Sequence, residues 1–324
     1  MSRILRELEV LQGREGWLPE EGLREIAARL GVPLHRLEGL SSFYTHFRRE
    51  PPPAAEISVC RDVTCRLAGA AEAQAELRAS LAEAGVVLRE VSCLGRCDRA
   101  PAGCVGQRPV DLRDGAEVRA ALGDPEPLQR TPRSWAADPF PSAAERHVAL
   151  RALLERDPRD LSRQLEESGL RGMGGAGFPT GRKWGLVAAE PADTKYVICN
   201  ADESEPGTFK DRVLLATLPH LVIEGMVLAG LSVGAGQGII FLRHEYSIEQ
   251  DILETALRDA RARGILGPDA AGSGQHFEIE IFISPGGYIL GEETALLEAL
   301  EDRRGEPRNK PPYPGQVGLF GQPT

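Results

Sequence analysis

The sequence predicts a multi-domain α/β protein, in which N-terminal helices and a small α/β domain precede a larger α/β domain with a largely parallel sheet. Two observations predict this fold class. Apolar residues recur at helical spacing in residues 1–50, and beyond them short apolar strands alternate with helices. A proline-rich stretch without periodicity separates the two α/β parts. With 324 residues, the chain is long enough for two or three domains.

Residues 1–50 are predicted to form a bundle of short helices. The stretch from Leu18 to Gly31 repeats apolar residues on one face, with a proline near its start and a glycine at its end. A second helix is predicted after Pro33, and we expect it to run as far as Phe47.

Residues 55–115 are predicted to form the small α/β domain. AEISVC and VVLREVSC read as strands, and the alanine-rich stretch between them reads as a helix. Residues 116–145 are predicted to be a linker, since the part from 122 onwards holds five prolines and no periodic pattern.

Residues 146–324 are predicted to form the larger domain. Its strands are TKYVICN, QGIIFLR and FEIEIFIS, and its helices are LPHLVIEGMVLAGLSVG and the stretch from Ser247 to Arg263. Strands that alternate with helices in this way favour a parallel sheet. The glycine-rich GAGQG precedes a strand, and we interpret it as a turn.

A glycine-rich loop begins at Gly172 and ends at Gly177, and it fits the dinucleotide-binding pattern G-x-G-x-x-G. The residues before it have helical spacing, so the strand that an ordinary Rossmann site requires is missing. Glycine nevertheless allows backbone amides to approach a ligand closely, and a helix start together with Lys183 would favour an anion. The alternative is a flexible surface loop, although Phe178 and Trp184 are poor linker residues.

The net charge of −10 argues against a nucleic-acid partner, because phosphate binding requires a basic surface. No apolar stretch is long enough to span a bilayer, and the first residues lack the apolar region of a signal peptide. We therefore expect a cytoplasmic protein without a membrane span. In that compartment cysteines tend to be ligands or reactive thiols and not disulfides.

Four cysteines form two pairs, Cys60 with Cys65 (C-x4-C) and Cys93 with Cys97 (C-x3-C). Each pair follows a predicted strand, so the two loops could meet at one end of a sheet. Zinc sites favour C-x2-C pairs, whereas a [2Fe–2S] cluster uses four thiolates across two irons. An iron–sulfur cluster is the first interpretation, zinc the second and unligated thiols the third. Two single cysteines receive no role: Cys104 and Cys199.

Several long motifs resemble subunits of respiratory complex I. SVCRDVTCRLAGA, SCLGRCDRAP and the helical N-terminus resemble its small thioredoxin-like [2Fe–2S] subunit. GLRGMGGAGFPTGRKW, NADESEPGTFKDR, GGYILGEETALLEALE and PRNKPPYPGQVGLFGQPT resemble its NADH-oxidising flavoprotein subunit. The two occur fused in NAD-dependent formate dehydrogenases and NAD-linked hydrogenases. The resemblance covers nearly the whole chain except the linker, and it implies a thioredoxin-like [2Fe–2S] domain followed by a Rossmann-like FMN-binding domain.

The resemblance also implies the site residues. It assigns the flavin and NADH phosphates to the glycine loop: Gly172, Gly174, Gly175, Ala176 and Gly177. Phe178 would stack on the adenine and Lys183 would contact phosphate. The flavin side would be formed by Asn200, Asp202 and Glu203, and the flavin wall by Tyr288, Gly291, Glu292, Glu293 and Thr294. Glu205 and Glu293 would lie near the nicotinamide nucleotide.

The implied reaction is a hydride transfer from NADH to FMN, which passes electrons singly to iron–sulfur clusters. No catalytic proton-transfer residue is required for it. The partners would be other subunits of an NAD-linked oxidoreductase, with a formate-dehydrogenase-like or hydrogenase-like complex favoured over complex I. Acidic residues near the ribose favour NADH over NADPH. The alternatives are a non-enzymatic [2Fe–2S] electron carrier with an inert flavin domain and a zinc-stapled structural protein.

This sequence differs from the family pattern in three places. It stops at Thr324, inside a motif, and lacks the CxxCxxC run that supplies the family's [4Fe–4S] cluster. We expect either a fragment or a remainder carried by another polypeptide. Leu290 stands where the family commonly has Cys, and Leu186 stands where it often has an aromatic residue.

Overall fold

The computed structural model describes residues 3–126, 138–140, 142–154, 159–173 and 175–324. The chain begins with three helices: α1 (Ile4–Glu15), α2 (Glu20–Leu30) and α3 (Leu34–Phe43). The first two end at glycines with positive φ, Gly16 (79°) and Gly31 (67°), which is the usual way in which a helix stops. The predicted continuation of the third helix to Phe47 was wrong. Tyr44 adopts an extended conformation, and its hydroxyl donates a hydrogen bond to the carbonyl of Arg303.

The small α/β domain contains four strands and three helices in the order β1 (Glu56–Cys60), α4 (Val63–Leu67), α5 (Ala70–Ser80), β2 (Val87–Val91), β3 (Ala102–Val105), β4 (Arg108–Asp111) and α6 (Gly115–Gly123). The sheet order is β2-β1-β3-β4, with β1 parallel to β2 and both other pairs antiparallel. Strands β3 and β4 escaped prediction because four residues are too few to display an alternation.

Helix α6 occupies the first residues of the range predicted as linker. Val118 and Ala121 on this helix are fully buried in the core of the small domain. The central part of the predicted linker, residues 127–137, lies outside the described residues.

Among its described residues, the larger domain has three strands and seven helices. Their order is α7 (Val148–Leu154), α8 (Arg159–Glu167), α9 (Thr180–Ala189), β5 (Tyr196–Ala201), α10 (Lys210–Thr217), α11 (Pro219–Val233), β6 (Gln237–Arg243), α12 (Ser247–Ala262), β7 (Glu278–Ser284) and α13 (Glu293–Leu300). The strands form one parallel sheet in the order β5-β6-β7, as predicted. A helix, α8, precedes the glycine loop, which agrees with the predicted helix–loop–helix.

The parallel sheet is covered on both faces. Helices α11 and α12 supply apolar side chains to one face. The opposite face packs against α13 and against the N-terminal helices, because Leu8, Leu23 and Leu37 share a core with Phe241 and Phe282. The N-terminal helices therefore complete the hydrophobic core of the C-terminal domain.

No single helix of the described residues is apolar over a length that could cross a bilayer. Together α10 and α11 reach that length and composition, but they are bent by 97° with respect to each other.

Candidate functional site

The four predicted ligand cysteines meet at one edge of the small sheet. Cys60 ends β1 and Cys65 lies in α4, while Cys93 and Cys97 lie in the loop after β2. Because β1 and β2 are parallel, their carboxyl ends lie side by side. The Sγ atoms of Cys93 and Cys97 are 3.4 Å apart, and the thiol of Cys60 is in hydrogen-bonding contact with those of Cys65 and Cys93.

Backbone amides surround these sulfurs. Gly95 and Ala102 donate N–H groups to the Sγ atoms of Cys93 and Cys65, each at 3.4 Å. The third donor belongs to the other domain, since the amide of Gly207 lies 3.3 Å from the Sγ of Cys97. Amides directed at sulfur stabilise negative charge on a thiolate and on a cluster bound to it.

Three of the four thiols have raised pKa values. Contact with Cys65, together with burial, raises the pKa of Cys60 to about 11. Burial raises the pKa of Cys97, and contact with Cys60 raises that of Cys93. Cys65 differs, because its hydrogen bond with Cys60 lowers its pKa. Four buried thiolates would repel one another, so their joint ionisation requires bound cations.

The arrangement fits a two-iron cluster. No three ligating side chains among the described residues surround one point closely enough for a single ion. The thiols form a continuous series of contacts from Cys65 through Cys60 and Cys93 to Cys97, so all four ligands that a two-iron cluster needs lie together. Residues Cys60, Cys65, Cys93 and Cys97 would hold a [2Fe–2S] cluster.

Three buried arginines fasten the loop of Cys93 and Cys97 to the larger domain. Arg243, at the end of β6, donates to the carbonyl of Cys93 at 2.5 Å and also to the carbonyl of Glu203. Arg212 donates to the carbonyl of Gly95 at 3.0 Å. Arg96 within the loop forms two 3.1 Å hydrogen bonds with the carboxylate of Glu249 on α12.

Gly95 is required at the centre of this contact. Its φ is 66°, and a Cβ at this position would lie 2.5 Å from the ring of Tyr246. The loop therefore approaches the larger domain as closely as its backbone allows.

Backbone hydrogen bonds join the two ends of the glycine loop, while the space around its central residues is free of protein atoms. The amide of Gly172 donates to the carbonyl of Phe178 at 2.9 Å, and Arg171 pairs with Pro179 in an isolated antiparallel bridge. Gly175 and Gly177 have positive φ, and a Cβ on either would meet no atom within 4 Å. Their positive φ by itself favours glycine, and the open space leaves room for a ligand against the backbone. Gly174 lies outside the described residues.

Side chains beside the glycine loop remain accessible. Ala176 and Lys183 are exposed, and Phe178 is 44% exposed with the guanidinium of Arg182 5.9 Å from its ring centre. An aromatic ring in this state can still stack on a base.

The carboxyl end of β5 brings together a second group of predicted residues. The side-chain amide of Asn200 donates to the carbonyl of Gly291 at 2.9 Å, and its oxygen accepts from the amide of Asp202. Asp202 is buried, and its Oδ1 has no hydrogen-bond partner. Burial raises the pKa of this carboxyl to about 6. A buried acceptor without a donor fits a ligand that offers an N–H or O–H group, as flavin does.

Two carboxylates predicted to belong to the flavin site accept hydrogen bonds from other groups of the protein. Glu203 accepts from the amides of Asp211 and Arg212 at 2.9 and 3.0 Å and from the hydroxyl of Tyr246 at 3.0 Å. The Glu203 carboxylate is thus engaged by donors of the protein, and its assignment to the flavin side stays a prediction.

Glu292 also serves a structural purpose. It caps α13 by accepting from the amides of Thr294 and Ala295 at 2.8 and 2.9 Å. The hydroxyl of Thr294 donates to this carboxylate and accepts from the amide of Arg308. The assignment of both residues to the flavin wall stays a prediction.

A cavity of about 320 Å³ lies beside the edge strand β5. It brings together three predicted residues, Lys183, Asn200 and Glu293, although its other walls are mostly apolar. Glu293 is paired with Lys310 at 2.7 Å. Separately, the hydroxyl of Tyr288 donates to the carboxylate of Glu205.

Sequence reasoning missed Gly207 and Arg243 as functional residues. Gly207 directly follows Glu205-Pro206 in a loop already assigned to the nucleotide. Arg243 is the last residue of β6, which pairs with β5, and Asn200 and Asp202 lie at the end of β5. Residues at the carboxyl ends of neighbouring parallel strands converge, and this signal could have identified Arg243.

A thioredoxin-type sheet with paired thiols at one edge, fastened to a parallel sheet with an open glycine loop, defines a two-domain redox protein. Comparison with known families agrees. Residues 1–124 match the thioredoxin-like [2Fe-2S] ferredoxin family, and residues 165–322 match the Nuo51 FMN-binding domain. The chain therefore joins a thioredoxin-like [2Fe-2S] domain and an FMN-binding domain in one polypeptide.

Individual relatives support the same assignment. The chain is 35% identical over its whole length to the NAD-reducing hydrogenase HoxS subunit alpha of Cupriavidus necator, of which it covers 59%. It is 49% identical over 55% of its length to an NADH-quinone oxidoreductase subunit of Aquifex aeolicus, of which it covers 42%.

A solved structure is also similar. The crystal structure of an NAD+-reducing [NiFe]-hydrogenase in the H2-reduced state has a TM-score of 0.80 at 33% identity, over 98% of this chain and 57% of the other. The chain thus spans roughly half the length of the relatives that it matches.

Proposed function

We propose that the chain is the NADH-oxidising (diaphorase) module of a larger NAD-linked oxidoreductase. It would bind FMN and NADH in the C-terminal domain and a [2Fe–2S] cluster in the small domain. The observation that carries this proposal is the 3.3 Å contact between the amide of Gly207 and the Sγ of Cys97. Gly207 belongs to the loop assigned to the nucleotide, so the flavin side and the cluster side share one hydrogen bond.

Bound FMN would supply the chemistry, by accepting a hydride from NADH and releasing its electrons singly. The protein residues bind and orient. The glycine loop from Gly172 to Gly177 offers amides to phosphate, and Lys183 adds a positive charge. Asp202 offers its unpaired oxygen to a donor on the flavin. Glu205, steadied by Tyr288, and Glu293 are available to the hydroxyl groups of the nucleotide.

NADH is the proposed substrate in preference to NADPH. A 2′-phosphate is usually recognised by an arginine. The guanidinium of Arg243 is already bonded to two carbonyls and to Glu245, which leaves it unsuited to that task.

The larger complex is proposed to be of the hydrogenase or formate-dehydrogenase kind. The alignment with the hydrogenase subunit extends over the whole chain, whereas the alignment with the complex I subunit covers 55% of it. We further propose that the module acts in the cytoplasm, because all six cysteines are free thiols.

An anaerobic NADH titration of the chain reconstituted with FMN and cluster tests the function. We expect the flavin absorbance to bleach at stoichiometric NADH. The Lys183→Ala variant should require several-fold more NADH, with Lys210→Ala on α10 as the matched control. A chain that carries its cluster but never binds flavin, or whose flavin ignores NADH, would refute the proposal and favour an electron carrier without a hydride site.

A further inference from the structure

The short helix α4 presents an unusual surface directly above the cluster ligands. Cys65 lies on its inner side and is 1% exposed, whereas Val63 is 56% and Leu67 is 85% exposed. Arg66, on the same helix, is exposed as well. With the neighbouring Arg61 and Arg99, these residues form what we call the α4 surface.

The α4 surface is positively charged on a chain whose net charge is −10. Arg61 follows the ligand Cys60, Arg66 follows the ligand Cys65, and Arg99 lies two residues after the ligand Cys97. Within the part of the chain that the structure describes, none of these three guanidinium groups forms a side-chain hydrogen bond or an ion pair.

Two acidic groups of the same loops are paired with arginines outside the α4 surface, whereas Asp62 keeps its negative charge. Asp62 accepts a hydrogen bond from the hydroxyl of Ser92 at 3.2 Å. Asp98 pairs with Arg212 at 2.5 Å, and Asp111 pairs with Arg113 at 3.1 Å. Glu72, in the first turn of α5, is an exposed acid further along the chain. The three arginines outnumber Asp62 and Glu72, so the surface keeps a net positive charge, although Asp111 also attracts Arg99.

We propose that the α4 surface is a docking site for an acidic one-electron carrier protein. Two exposed apolar side chains rimmed by unpaired charges are the features of a small, transient interface that is found by electrostatic steering. The arginines are complementary to carboxylates of the partner, and the apolar residues would exclude water between the partner and the cluster.

The electron balance of this exchange is simple. One electron leaves the reduced cluster, whose single ferrous iron becomes ferric, and the oxidised centre of the carrier gains it, or the reverse. No proton moves and no bond is broken. The inference rests on the [2Fe–2S] cluster of the proposed function but not on hydride transfer. It adds a second place where electrons enter or leave the module.

Association with a plant-type [2Fe–2S] ferredoxin, used as the acidic probe, tests the proposal. Binding to the cluster-loaded chain is measured by fluorescence anisotropy, since binding needs no redox driving force. We expect the dissociation constant to rise about tenfold from low to physiological salt, because salt screens exposed charges. The double variant Arg61→Glu/Arg66→Glu should weaken binding about tenfold or more, and Arg99→Glu several-fold.

Controls separate docking from damage to the cluster. Arg258→Glu reverses an exposed arginine on α12 and should leave binding unchanged. Each variant must retain the wild-type EPR spectrum of the reduced cluster, and Leu67→Gln tests the surface without altering its charge. The proposal would be overturned if binding did not depend on salt, or if all variants with an intact spectrum bound equally. It would also be overturned if basic cytochrome c bound more tightly than the ferredoxin.

Electron transfer is then followed by stopped-flow spectroscopy in both mixing directions. The chain is reduced with dithionite, and excess reductant is removed. Because the cluster is then reduced without NADH, a defect in hydride transfer cannot be mistaken for a defect in docking. We expect transfer in the downhill direction, slowed about tenfold by the double variant. No transfer in either direction would overturn the inference even if the proposed NADH oxidation is found.

Discussion

Asp202 is a buried carboxyl group whose surroundings disfavour its ionised form. It is 4% exposed, one of its oxygens has no partner, and burial raises its pKa from 3.8 to about 6 although Arg243 acts against this shift. Ligand sites often retain such groups, because a group arranged to bind a ligand can destabilise the protein when the ligand is absent. The residue therefore links the stability of the chain to the occupancy of its site.

Replacing Asp202 with Asn should stabilise the ligand-free chain above pH 6. The unfolded chain loses this proton near pH 3.8 and the folded chain near pH 6. The folded state thus binds more protons between these values, and its stability falls as the pH rises through that window. We expect Asp202→Asn to increase the free energy of unfolding by about 1–3 kcal/mol at pH 7.5 and by almost nothing at pH 3.5.

Urea unfolding at the two pH values measures this effect, and flavin fluorescence measures the accompanying loss of FMN affinity. Asp193→Asn changes an exposed carboxylate just before β5 and serves as the control. A stabilisation that is equal at both pH values would show that the charge of Asp202 is not its cause.

Among the elements, those with long apolar patterns could be predicted and those that depend on distant partners could not. β6 coincides with QGIIFLR because its residues are nearly all buried. β3 and β4 are short, and they depend on their partners in the sheet, since β3 pairs with β1 and β4 pairs with β3. The spacing of the paired cysteines indicated a common site, but by itself it left zinc as an alternative to the iron–sulfur cluster. The internal role of Glu203 could not, because its donors come from α10 and from Tyr246, which lies over forty positions away.

The ion pair between Arg96 and Glu249 joins the cluster loop to α12, and its two side chains are 6% and 3% exposed. Removing one partner leaves a buried charge unpaired. We expect Glu249→Ala or Arg96→Met alone to reduce the free energy of unfolding by about 3–5 kcal/mol. The double variant Arg96→Met/Glu249→Leu should lose much less than the sum, because two apolar side chains carry no desolvation cost.

A double-mutant cycle based on urea midpoints measures the coupling. The pair of Arg24 with Glu20 is a suitable comparison, since both side chains are 63% exposed. Its removal should cost less than about 0.5 kcal/mol. Additive losses at Arg96 and Glu249 would mean that their contact does not hold the two domains together.

At the scale of the whole molecule, the chain is not a row of independent domains. The N-terminal helices cover one face of a sheet that is built from residues almost two hundred positions later. Helix α1 lies over β7, where Arg6 pairs with Glu280 at 2.6 Å and lies 5.8 Å from the ring centre of Phe282. The carboxylate of Asp302 accepts from the amides of Ile4 and Leu5 at the start of the same helix. The first helix and the flavin-domain sheet are therefore expected to unfold together.

Leu8 on α1 is fully buried in this shared core, whereas Val10 on the same helix is 66% exposed. We expect Leu8→Ala to reduce the free energy of unfolding by about 2–5 kcal/mol and Val10→Ala by less than about 0.5 kcal/mol. The decisive measurement is native-state hydrogen exchange. If the shared core is one cooperative unit, Leu8→Ala will lower the free energy of opening of the β6 and β7 amides as much as it lowers that of the α1 amides. Faster exchange confined to α1 would instead mean that the N-terminal helices unfold locally while the sheet stays folded.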